Sequence, residues 1–270
     1  MVLPSRPSDF DARYLRRLVG TKVTTFYDFD PLQQPSATSA SASAGRSWII
    51  TEKLSERAVH LTQEDADLGV GSPMTVGKFL CHLEEDPTQT AFMRIYHQIP
   101  ITGTEDADLA TLAQQIQPPE VCGELESFKL LMSQGCTSVL RFLGYCEKKQ
   151  GEHDLVPGGY VKYLVWEKVP GESLTEEFFW SLSPPVRQDI RVKFRLAYEE
   201  MLRCGVKPED SGISKIIYDQ PTGNVRISGL RRGWPIRGTL QWSDTRYVTY
   251  ALARRPNERD WREHPEKWEV

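Results

Sequence analysis

The sequence predicts an α+β chain, with antiparallel strands first and helices after. Two observations predict it. Between residues 58 and 96, half-apolar runs are separated by glycine-containing or Asp-Pro turns, the pattern of strands joined by hairpins. From residue 183 the period changes: Val186, Ile190, Phe194, Ala197 and Met201 recur at four, four, three and four, one buried stripe of a helix. With 270 residues the chain suffices for one large domain or two small lobes sharing a cleft.

Taken in order, residues 1–57 are expected to form an N-terminal extension. Residues 14–19 suit one or two helical turns, and residues 22–27 are rich in strand formers. The Ser/Ala-rich run 35–45 buries too little apolar area to offset its ordering entropy and is expected to be a flexible linker. Next comes Asp67-Leu68-Gly69-Val70-Gly71-Ser72-Pro73-Met74-Thr75-Val76-Gly77-Lys78. Its two glycines leave backbone amides uncovered by side chains, so it reads as strand, tight loop, strand, a geometry able to cover a phosphate. Residues 78–85 and 90–96 read as strands joined through Asp86-Pro87.

Pro118 and Pro119 precede a helix on which Leu125, Phe128 and Met132 share a face, with Glu124 beside it. Two strands are expected at 138–145 and 160–166. Ser183, Pro184 and Pro185 are a helix start, a hydroxyl cap followed by prolines where no amide partner is needed, and the helix should end near Gly205. Residues 215–218 and 225–227 flank a turn, a small hairpin. Residues 244–255 suit one short helix, and the tail from Arg254 a solvated end or surface strap.

Composition narrows the classes of partner. A formal net charge of -4 gives no electrostatic footprint for nucleic acid. No stretch approaches the ~20 apolar residues of a membrane span, and the start lacks a signal-peptide core, so a cytoplasmic protein is expected. Five cysteines without a C-x-x-C pair and five dispersed histidines offer neither a disulfide framework nor a structural zinc site; no metal and no cofactor are expected.

Residues 58–232 resemble the protein-kinase-like fold. Leu68-Gly69-Val70-Gly71-Ser72-Pro73-Met74-Thr75-Val76 resembles the kinase glycine-rich loop L-G-x-G-x-x-G-x-V, with Met74 at the third glycine. Ala91-Phe92-Met93-Arg94 resembles V-A-I-K, with Arg94 where the phosphate-binding lysine belongs, and Glu124 matches the helix glutamate that pairs with it. The segment Leu164-Val165-Trp166-Glu167-Lys168-Val169-Pro170-Gly171 resembles the hinge between lobes. The catalytic half departs from the pattern. Asp210 stands in place of the catalytic base without its His and Arg neighbours; Lys215 stands where a metal-binding Asn belongs, and Gly229 where the metal-binding Asp belongs.

The resemblance implies an antiparallel-sheet N-lobe at 58–168 and an abbreviated helical C-lobe with a charged tail at 169–270. It also implies ligand contacts at Gly69, Gly71, Met74, Arg94, Glu124, Trp166 and Glu167, with Asp210 and Lys215 as candidate catalytic groups. Lost metal ligands point to a pseudokinase-like binding or scaffold module. An alternative is an enzyme reusing the cleft for a small, largely apolar molecule, with Asp210 and Lys215 as a proton-handling pair in acid-base, cyclisation or isomerisation chemistry. A third is metal-free binding of an anion or nucleotide by Arg94, Lys215 and Arg231. The partner, small molecule or protein, is left open.

Overall fold

In the computed structural model, which describes residues 12–27, 45–119, 123–236, 238 and 240–270, the chain divides into two units. The first comprises residues 1–121 and 143–168, the second residues 122–142 and 169–270. The Ser/Ala-rich run, apart from Gly45, lies outside the described residues.

The first unit is built on one antiparallel sheet of six strands. These are β1 (Lys22–Thr25), β2 (Arg46–Val59), β3 (Met74–Leu83), β4 (Thr90–Gln98), β5 (Phe142–Lys149) and β6 (Tyr160–Glu167), in the spatial order β1-β2-β3-β4-β6-β5. Phe26, just past β1, exchanges both backbone hydrogen bonds with Tyr145 of β5 at 2.9 Å, so the two outer strands meet and the sheet closes on itself. Closure satisfies backbone groups that an edge would leave open. Inside lie Trp48, Ile50, Phe79, Cys81, Met93, Ile95, Val161 and Val165, supplied by alternate positions of the strands, together with Leu15 and Val23. Trp48 also donates its indole N–H to Thr25 Oγ1 at 3.0 Å.

Residues 12–27 and 45–57 therefore differ from the expected extension. Their apolar side chains complete the barrel core, and the long polar run between β1 and β2 hides that continuity in the sequence. Glu56 fixes the arrangement: its carboxylate, fully buried, accepts from Leu15 N at 3.2 Å, Thr75 Oγ1 at 2.9 Å and Lys53 Nζ at 2.9 Å. A buried charge without such partners would cost several kcal/mol. A second correction concerns the residues before β3. The expected first strand is absent: a short helix, α1 (Gln63–Asp67), started by a capping box between Thr62 and Asp65, leads into the loop 68–73 and then β3. A further short helix, α2 (Leu109–Ala113), is capped by Asp108. The strand expected at 138–145 lies later, as β5.

The second unit holds α3 (Gly123–Ser133), α4 (Glu176–Ser181), the 20-residue α5 (Pro184–Arg203) and α6 (Thr245–Thr249). It also holds short strands: β7 (Glu172–Ser173), β8 (Val206–Lys207), β9 (Ile216–Asp219), β10 (Asn224–Ile227) and β11 (Trp234–Pro235). On α3, Leu125, Phe128 and Leu131 are buried, and Phe128 stacks on Phe142. On α5 the expected stripe is buried at Ile190, Phe194, Ala197 and Met201 and half-buried at its first position, Val186. Phe194 sits among Tyr198, Trp242, Tyr247 and Tyr250. Pro184 and Pro185 open the helix as expected, whereas the Ser183 hydroxyl makes no capping bond. The hairpin β9–β10 pairs Asn224 with Asp219 and Ile227 with Ile216. The tail folds back as a strap: Arg254 bridges Glu269, and Trp261 and Trp268 pack on Ala253.

Candidate functional site

Gly69 and Gly71 both have positive φ, +68° and +151°. The reason at Gly69 is the end of α1. Its amide donates to Ala66 O and that of Val70 to Asp65 O, both at 3.0 Å, which is the paired pattern of a Schellman cap. The amides of 69 and 70 are thus consumed by the helix terminus, whereas the sequence reading left them uncovered. Met74 opens β3, opposite Val59 and Gln98.

One face of the sheet in the first unit carries cations and aromatic rings together. Arg94 pairs in register with Lys78 and Leu164, and Phe92 with Leu80 and Trp166. The Arg94 guanidinium lies 5.2 Å from the Trp166 ring centroid, the Lys78 ammonium 4.0 Å from that of Phe92, and the two rings are 6.3 Å apart. Each contact falls within cation–π range. Glu167 pairs with Ala91 at the end of β6. Lys78 and Phe92 were not singled out from the sequence as site residues; strand register with Arg94 is what brings them in, and register is invisible before pairing is known.

Glu124, Asp210 and Lys215 belong to the second unit. Glu124 lies in the first turn of α3 and is 2% exposed. Asp210 lies 3.9 Å from Arg232 Nε. Lys215 ends a 3-10 turn, and its carbonyl accepts from Ser228 N at 2.7 Å and Ser228 Oγ at 3.1 Å, which draws residues 228–229 against it. Gly229 has φ +91°. A Cβ added there would sit 3.0 Å from Lys215 Cδ, 3.2 Å from Lys215 Cγ and 3.4 Å from the Asp210 carbonyl oxygen. The Lys215 stem therefore fills the space a side chain at 229 would enter. Asp210, Lys215 and Gly229 come together, but no hydrogen bond or ion pair joins the Asp210 and Lys215 side chains among the described residues.

These residues do not fit the divalent cation that the kinase resemblance implies. Of the two positions that the resemblance makes metal ligands, one has no side chain and the Lys215 stem packed close to it, and the other carries an ammonium. At an effective dielectric of about 20, a unit positive charge ~4 Å from a dication costs roughly 8 kcal/mol. Among the described residues no cluster of three or more His, Cys, Asp or Glu has a metal-binding arrangement, and no helix is long and apolar enough to cross a membrane.

No family model matches the chain, and no curated protein matches it. Among solved structures it is similar to the Cydia pomonella granulovirus kinase PK-1, with 9% identity, a TM-score of 0.43 and coverage of 75% of this chain. The chain spans 60% of that kinase's length.

Proposed function

We propose that the chain is a catalytically degenerate, protein-kinase-like binding or scaffold module, with residues 58–168 and 169–270 as the descendants of its two lobes. The observation that carries the reading is the Lys215 stem lying over Gly229. Kinase chemistry is largely positioning and neutralisation of phosphate charge by metal ions held on side-chain oxygens, and both oxygen-bearing positions are lost here. The order of hairpin-linked strands, helix, long helix and hairpin, together with the glycine-rich, Arg94 and hinge motifs, supports the kinase-like ancestry. The partner is a protein or small molecule, not nucleic acid or membrane.

A second reading, an enzyme using a small, largely apolar molecule, is favoured by the face on which Arg94, Trp166, Lys78 and Phe92 alternate cation and ring. Thermal unfolding with ATP, with and without magnesium, tests the first reading. A ligand at 100 times its dissociation constant adds about 2.7 kcal/mol. A shift that appears only with magnesium would contradict the degenerate reading, and no magnesium-dependent shift is expected.

A further inference from the structure

A cavity of about 420 Å³ opens in the first unit, away from the residues discussed above. Its volume falls in the range of small-molecule sites. One wall is apolar and exposed: Ile116, Pro118 and Pro119, on the segment that follows α2. The other is the strand pair β5–β6, with buried Tyr160 and Val161 and the lysines 148, 149 and 162.

Three nearly buried glutamines fix these walls. Gln98 donates through Nε2 to Gln115 O at 2.6 Å and accepts at Oε1 from Gln117 N at 3.3 Å. Gln115 in turn accepts from Ile101 N at 2.9 Å and donates to Thr104 Oγ1 at 2.8 Å. Gln150, at the end of β5, donates to Gln98 O at 2.9 Å and accepts from Val156 N at 2.9 Å. Amides buried this deeply are costly unless satisfied, and once satisfied they hold their segments in one geometry. The cavity is therefore a formed hollow whose walls are pinned to β4 and to each other, which lowers the ordering cost of binding.

Its charge is one-sided. Three lysines line it against one carboxylate, Glu147. Lys162, only 9% exposed, is matched by Glu147 at 3.0 Å. Lys148 and Lys149, both exposed, have no ion pair among the described residues. Two exposed lysines without an ion pair therefore border an apolar hollow, on opposite faces of β5. We propose that this cavity binds a small apolar anion, an aryl or alkyl carboxylate whose hydrocarbon part packs on Ile116, Pro118 and Tyr160 while its charge is met by a lysine at the rim, Lys148 or Lys149. The site does not depend on the kinase-like reading.

Fluorescence titration of the full chain with anilinonaphthalene sulfonate, an apolar anion, tests this, with neutral phenyl-naphthylamine as comparator. Saturable one-site binding is expected, competed by naphthoate. Ile116→Asp and the double variant Lys148→Ala/Lys149→Ala should each weaken it by about tenfold or more, equivalent to about 1.4 kcal/mol. The neutral probe should bind no better to the wild type than to the lysine variant. Leu196→Asp, on an exposed part of α5 in the second unit, serves as control and should leave binding unchanged. Binding that is equal in all variants, or lost only in Leu196→Asp, overturns the proposal, as does the absence of saturable binding. Should Ile116→Asp fail to fold, the lysine variant, which alters exposed side chains only, decides.

Discussion

At the scale of single residues, position 229 carries the most consequence. A glycine there is favoured by a left-handed φ of +91°, and a Cβ would also press on the Lys215 stem, 3.0 Å away. Gly229→Asp should therefore destabilise the protein by about 1–3 kcal/mol. In the double variant Gly229→Asp/Lys215→Asn the shorter side chain vacates that space, so part of the loss should return. Denaturant unfolding of the four members of the cycle measures it, with a coupling of about 0.5–3 kcal/mol expected; simple additivity would show that the two positions are independent. A separate residue-scale effect lies at His97, 3% exposed, whose pKa is lowered by desolvation against a smaller opposing bond to Gln98 O. The unfolded chain takes up a proton near the ordinary value of about 6.5 before the folded one does. Stability from this group is complete above that pH and declines as pH falls toward the lowered folded value. Unfolding between pH 5 and 7.5 should show that slope in the wild type and lose it in His97→Asn.

At the scale of elements, Leu15 and Gly69 separate what the sequence discloses from what it hides. Leu15 is fully buried with the barrel core, so Leu15→Ala should cost about 2–5 kcal/mol, whereas Val19→Ala, at a site 41% exposed, should stay within about 0.5 kcal/mol. Equal effects would return residues 12–27 to the status of a loose extension. Gly69→Ala should cost about 1 kcal/mol by straining the cap of α1. The stripe on α5, the prolines that start it and the hairpin from 216 to 227 were legible because each depends on local period or turn chemistry. The closure of β1 on β5 was not, since one bridge between Phe26 and Tyr145 joins residues more than a hundred apart and no local pattern marks it. The short helix α1 went unread and the role of Gly69 was mistaken for a related reason: a cap glycine and a loop glycine look alike until the carbonyls they serve are known. In the candidate site, Arg94 and Trp166 were legible through the resemblance, while Lys78 and Phe92 required the register of three strands.

At the scale of the whole molecule, the two units are built from different elements. The first keeps a tightly held sheet, sealed by residues 12–27 and by the carboxylate of Glu56, and presents one face of cations and rings. The second holds the 20-residue helix α5 and the hairpin β9–β10, with the Lys215 stem beside Gly229. On the degenerate reading proposed above, such a protein binds its ligand without metal-assisted phosphoryl transfer. Calorimetric titration of ATP into the full chain, with and without magnesium, addresses this directly. The arrangement of Lys215 and Gly229 predicts an affinity that magnesium does not raise, and an increase of about tenfold or more on adding the ion would contradict it.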